Sequence, residues 1–201
     1  MLSMMNVIMS DWIFGYGSLI WNPEVDYDHA ELGRLHGFHR AFCIRSTRYR
    51  GTPEKPGVVL GLDRGGSCVG LAFRLHLHDR RQAIERLYER ELAGDDIYLP
   101  TRVPVTLASG QRVQALTFVA NRASDAYQRL PDSELLTRLA GCCGQRGHNL
   151  EYLVNTLHSL EQRGVRDSML KSLVRRVNHL RTSAAQATLH TLEKNLAPAS
   201  V

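Results

Sequence analysis

The sequence predicts an α+β fold in which a small curled sheet or barrel comes first and a layer of helices follows. Two observations carry this. From Trp12 to about Ala120, short β-rich runs alternate with turn residues, whereas after about Asp132 the apolar residues recur with a helical period. The 201 residues fit one domain over one core, and 43% hydrophobic with 22% charged residues excludes fibrous and disordered classes. Residues 1–10 read as an extension, 11–120 as mainly β with one inserted helix, and 131–196 as helical.

The expected strands are 12–16, 32–44, 58–62, 68–75, 97–107 and 113–120. Asp63-Arg64-Gly65-Gly66-Ser67 is expected to turn the third into the fourth, and Ala108-Ser109-Gly110-Gln111 the fifth into the sixth. One helix interrupts the series. Asp79 stands at its N-cap position, Gly94 where a terminating glycine belongs, and Ile84, Leu87, Tyr88 and Glu91 follow i, i+3, i+4, i+7. Later helices are expected at 131–141, 148–160, 166–180 and 184–196, with Asn149 placed to cap the second of these.

Charge and cysteine usage narrow the function classes. Net charge is +5, and six basic residues (Arg163, Arg166, Lys171, Arg175, Arg176, Arg181) against Glu161 and Asp167 concentrate it near one helix. That run lacks the interleaved aromatics of single-strand binders and reads as a solvated face; nucleic acid or anionic lipid on Arg175 and Arg176 is the rival reading. Four cysteines without a CxxC spacing indicate a reducing compartment. No stretch has the length and apolarity of a membrane span or the layout of a signal peptide, so a cytoplasmic protein is expected. His76 with His78 and His36 with His39 lack a third ligand, and adjacent Cys142 and Cys143 diverge by about 100° on a helix, so no metal is expected.

Four stretches could carry chemistry. Gly15-Tyr16-Gly17-Ser18-Leu19-Ile20 follows a strand, and its glycines permit a ligand to approach backbone N–H groups; equally, it could be a plain turn. Glu91 lies on the apolar stripe of its helix, where burial raises a carboxyl pKa toward the range of a general base, although a structural ion pair with Arg90 or Arg102 fits the same position. Arg50-Gly51-Thr52-Pro53-Glu54-Lys55-Pro56-Gly57 is a rigid loop, and Gly144-Gln145-Arg146-Gly147 leads into a helix.

In this order, Trp12-Ile13-Phe14-Gly15-Tyr16-Gly17-Ser18-Leu19-Ile20-Trp21, Arg50-Gly51-Thr52-Pro53 with Pro56-Gly57, Arg90-Glu91 and Gly147-His148-Asn149-Leu150-Glu151-Tyr152-Leu153 resemble the ChaC-like γ-glutamylcyclotransferases, in particular their glutathione-specific branch. The resemblance implies a small barrel flanked by helices and a cofactor-free lyase that converts glutathione to 5-oxoproline and Cys-Gly. It implies Glu91 as the acid/base, Phe14, Gly15, Tyr16, Gly17, Ser18 and Leu19 as the substrate-binding turn, and Tyr127 as a further substrate contact. Other γ-glutamyl amines or dipeptides are the alternative substrates, because the family's glycine pair and tyrosine after the glutamate are here replaced by Leu92-Ala93-Gly94-Asp95-Asp96-Ile97-Tyr98. No nucleic acid and no membrane is expected as a partner; the sequence leaves the oligomeric state open.

Overall fold

A computed structural model describes residues 9–92 and 96–196, with side chains to residue 187. In chain order it contains β1 (Trp12–Gly15), a 3-10 turn (Ser18–Ile20), β2 (Tyr27–Ser46), β3 (Gly57–Leu75), α1 (Arg80–Leu92), β4 (Tyr98–Leu107) and β5 (Arg112–Ala120). The helical part follows as α2 (Asp132–Gly141), the two-residue strands β6 (Cys143–Gly144) and β7 (Gly147–His148), α3 (Asn149–Glu161) and α4 (Ser168–Leu196).

Five strands close into a barrel in the order β1-β3-β2-β4-β5. Neighbours in that order run antiparallel, and closure is parallel, with Trp12 opposite Ala115 and Ile13 opposite Leu116. Closure removes the exposed edges that an open sheet of this size would carry. The barrel is therefore mixed, and the helices flank it.

Two expectations about element boundaries are corrected. The expected turn at 63–67 is instead the middle of β3, a single strand of 19 residues paired along nearly its whole length with the 20 residues of β2. Gly65 and Gly66 do take positive φ (99° and 70°), but they kink the strand opposite a matching irregularity between His36 and Phe38 rather than reverse it. At the C-terminal end, the helices expected at 166–180 and 184–196 are one helix, α4; no Gly or Pro interrupts it, and the Thr182 hydroxyl donates back to the Asn178 carbonyl. The expected turn between β4 and β5 does form, with the Leu107 N–H donating to the Gln111 carbonyl at 2.8 Å. Gly94, expected to end α1, lies outside the described residues.

The sheet core continues without a break into the helical layer. Phe14, Leu35, Leu60, Phe73 and Val105 from the barrel belong to one buried cluster with Leu139, Leu153, Leu157, Leu170 and Val177 from α2, α3 and α4. A second cluster seats α1 on the barrel end through Ile84, Leu87 and Tyr88 against Ile13, Leu19, Leu116 and Phe118. Fully burying side chains of this size contributes roughly 1.5–3 kcal/mol each before entropy is counted. One polar pin crosses between the layers: the buried Arg40 of β2 donates to the Tyr16 carbonyl (2.6 Å) and the Val69 carbonyl (2.7 Å) and pairs with Asp167. Asp167 also accepts from the Leu170 N–H at 3.0 Å, capping the first turn of α4.

Candidate active site

The site forms where β1 ends and α1 lies across the barrel mouth. After Gly15 the chain turns through Tyr16 and Gly17 into the 3-10 turn, which closes with the Ile20 N–H donating to the Gly17 carbonyl at 3.0 Å. Among the described residues, the N–H groups of Gly17, Ser18 and Leu19 meet no acceptor. Three such donors in sequence are what an anion or a carbonyl oxygen needs from a backbone. Gly17 is fixed by crowding: a Cβ there would stand 2.8 Å from the Tyr152 hydroxyl of α3.

Glu91 reaches this turn because Ile84, Leu87 and Tyr88 bury its face of α1 against the barrel. Its side chain is 16% exposed. Burial pushes its carboxyl above the usual range; the Arg90 guanidinium, 3.1 Å away, and Arg146 act against that rise, while Glu24 adds to it. Arg90 is itself anchored: it donates to the Asn22 carbonyl (2.7 Å) and the Ser18 hydroxyl (2.9 Å) and pairs with Glu24 at 3.2 Å. One arginine thus fixes the glutamate helix to the glycine turn.

Three tyrosines complete the inner wall. Tyr16 donates to the Phe118 carbonyl at 2.8 Å and Tyr98 to the Leu60 carbonyl at 3.0 Å, and Tyr152 faces Gly17. Burial pushes all three phenols up, with Glu91 adding to the rise, so they stay protonated donors.

Glu91, Ser18, Tyr98 and Tyr152 stand between a cavity of about 390 Å³ and a deeper recess of about 30 Å³. The recess is walled by Tyr16, Gly17, Leu19, Leu60 and Phe118. The outer cavity is walled by five arginines: Arg45, Arg48, Arg50, Arg90 and Arg146. Its size suits a small-molecule ligand, and its charge suits an anionic one. A larger hollow of about 600 Å³ lies between the barrel and α2 and α4, and none of the inner-wall residues borders it. Of its two carboxylates, Asp63 is 4% exposed and already saturated with donors, and Asp132 pairs with Arg176.

Of the turn expected from the sequence, Tyr16, Gly17, Ser18 and Leu19 are brought together with Glu91. Phe14 and Gly15 are not on the wall: Phe14 is fully buried in the core, and Gly15 packs behind the turn against Leu19 and Phe73. Tyr127 is also elsewhere. Its hydroxyl donates to Asp63 at 3.0 Å and accepts from Arg129 at 2.9 Å, so its polar end is committed outside the cavity. Asn149, expected to cap α3, follows the N-cap residue His148, whose N–H donates to the Glu151 carboxylate (3.1 Å). The fully buried Asn149 instead grips β3, accepting from the Val58 N–H (2.8 Å) and donating to the Val58 carbonyl (2.7 Å).

Sequence reasoning singles out the stretches holding Arg50 and Arg146 without assigning either residue a role, names Tyr98 only as a departure after the glutamate, and does not reach Arg48 or Tyr49. Arg48, Tyr49 and Arg50 lie in the loop before β3, Arg146 at the tip between β6 and β7, and Tyr98 at the start of β4. No spacing links these positions. The two loops meet through the Gln145 N–H to the Arg48 carbonyl (2.9 Å) and the Arg146 N–H to the Tyr49 carbonyl (3.0 Å). Among the described residues, no three His, Cys, Asp or Glu side chains are grouped to hold a metal, and no helix is long and apolar enough to cross a membrane.

Comparison with known proteins gives concordant matches. The family model described as ChaC-like protein matches residues 11–180. The glutathione-specific γ-glutamylcyclotransferase of Escherichia coli is 36% identical over 170 residues, which are 84% of this chain and 73% of that protein. Glutathione-specific γ-glutamylcyclotransferase 1 of Mus musculus is 34% identical over 176 residues, 84% of this chain and 78% of that one. Among solved structures, a γ-glutamyl cyclotransferase specific to glutathione from yeast shares the fold with a TM-score of 0.78 at 23% identity, covering 86% of this chain and 97% of its own. Because the matched span takes in the barrel, the Glu91 helix and the first part of α4 alike, the chain belongs to the ChaC-like family.

Proposed function

We propose that the chain is a glutathione-specific γ-glutamylcyclotransferase that converts glutathione to 5-oxoproline and Cys-Gly. The observation that carries this is the buried Glu91 carboxylate, raised in pKa, standing on one recess with three unpaired backbone N–H groups. The names of the relatives at 36% and 34% identity support the substrate.

The chemistry follows from those groups. The γ-glutamyl α-amine is not a nucleophile while protonated, so Glu91 takes one proton from the ammonium. The freed nitrogen attacks the γ-carbonyl of the same residue and closes a five-membered ring; because the reaction is intramolecular, most of the rate comes from holding the chain folded. The N–H groups of Gly17, Ser18 and Leu19 receive the α-carboxylate or the oxyanion that forms on the γ-carbonyl. Protonated Glu91 gives its proton to the cysteinyl nitrogen as the amide bond breaks, takes the second proton that the ring nitrogen loses to become the lactam N–H, and passes it to the released amine, so the residue ends ionised, as it began. Tyr98 and Tyr152 wall the path of that proton, and Arg90 holds the carboxylate in place.

The test is Glu91→Gln, assayed for 5-oxoproline and Cys-Gly by chromatography. The amide cannot accept the proton, and the expected loss in kcat is on the order of 100-fold to 10,000-fold with the fold retained by circular dichroism. A folded variant with wild-type turnover would remove Glu91 from the mechanism, and a folded wild type without product would remove the reaction.

A further inference from the structure

The outer cavity carries more positive charge than Glu91 requires. Arg90 is engaged with Glu91, Glu24 and Ser18, and Arg50 is buried, donates to the His148 carbonyl at 3.0 Å and lies over the Tyr152 ring. Arg48 and Arg146 differ. Both are exposed at the cavity and face the same ring, Tyr49, with guanidinium carbons 5.2 Å and 4.3 Å from its centroid. Among the described residues neither is in an ion pair; Arg48 has only the amide oxygen of Gln145, at 3.2 Å. Like charges gathered on one ring repel each other, which an anion between them would relieve. Their backbones are fixed by the two loop-to-loop hydrogen bonds, so the pair is held before any ligand arrives.

We infer that Arg146, with Arg48 at the same Tyr49 ring, is the specificity-determining clamp for the C-terminal carboxylate of the tripeptide. The inference rests on the reaction proposed above and adds what selects the substrate. With the γ-carbonyl beside Glu91, where the recess meets the outer cavity, the cysteinyl and glycyl residues extend into the arginine-walled cavity, and two extended residues reach about 7 Å. A guanidinium stacked on an aromatic ring meets a carboxylate as a planar, permanently charged fork. Substrates that end earlier, or end in an amide, forfeit that contact.

The experiment measures 5-oxoproline release from glutathione and from its C-terminal glycinamide, by wild type, Arg146→Ala and Arg146→Lys. Wild type should favour glutathione over the amide by about tenfold in kcat/KM, mostly through KM. Arg146→Ala should lose about tenfold more on glutathione than on the amide and so bring the two substrates level, any change in the Glu91 carboxyl falling on both alike. Arg146→Lys, which keeps the charge, should keep a preference for the acid. Equal use of acid and amide by the wild type, or an equal loss on both in Arg146→Ala, overturns the clamp and leaves the reaction standing. No product from glutathione with a folded wild type overturns both.

Discussion

A group that must take a proton from an ammonium and return it to an amide nitrogen works best with a pKa near the working pH. Burial moves Glu91 in that direction, and Arg90 limits the rise. The ionised form is the active one, so kcat/KM should fall as pH drops through the raised Glu91 pKa. Removing the restraining charge in Arg90→Gln should move that acidic limb to higher pH, which a pH–rate profile of the two proteins would test; an unmoved limb would show that Arg90 does not set the carboxyl. Stability runs the other way. A folded-state pKa above the unfolded one means the native chain holds the extra proton, so this residue's contribution is greatest below the unfolded pKa and is lost as pH rises through the folded one. Glu91→Gln should therefore melt at or above the wild-type temperature at neutral pH while losing most of its turnover, and a fall of several degrees would contradict that sign.

The elements that the sequence shows best are those whose apolar period is unbroken: α1 and α3 are close to their expected limits because Ile84, Leu87 and Tyr88, and Leu153, Leu157 and Leu160, bury one stripe. The kink in β3 was not legible, because Asp63 to Ser67 has the residues of a reversing turn, and only the twenty residues of β2 alongside decide that the chain continues. Asp63 marks that kink and ties it to the segment after β5. Burial would raise its carboxyl, but donation from Arg122 (2.6 Å), the Arg64 N–H (2.9 Å) and Tyr127 (3.0 Å) outweighs it and holds the pKa at about 2. A depressed carboxyl stabilises above the unfolded pKa and loses that contribution as pH falls toward about 2. Asp63→Asn should thus cost about 2 kcal/mol at neutral pH and nearly nothing at pH 2, read from urea melts at both. In the same way, Asn149→Ala leaves the Val58 N–H and carbonyl unsatisfied in the core and should cost about 2–4 kcal/mol; a neutral result would mean water replaces the amide.

At the scale of the whole molecule, the charge that matters for substrate is not where the sequence concentrates it. The basic run near α4 is spread over a helix far along the chain, whereas the cavity arginines come from separate loops, one strand end and α1, and only the closed barrel with its two interlocked loops assembles them. That is why the sequence singles out Glu91 and the Tyr16 to Leu19 turn, which the structure brings together, but offers Arg146 only as part of a loop and Arg48 and Tyr98 no role. An arginine-walled entrance predicts that KM for a substrate with two carboxylates and net negative charge rises several-fold between about 0.05 and 0.5 M salt with kcat little changed, and salt-independent kinetics would deny the entrance that role. Arg40 has a different reach, since it bonds the Tyr16 carbonyl at the start of the glycine turn and, through Asp167, the first turn of α4. With one apolar cluster also shared between sheet and helices, the helical layer cannot peel away while the sheet persists. Heating should then show a single calorimetric transition, with turnover vanishing in step with it and no half-melted species that still works.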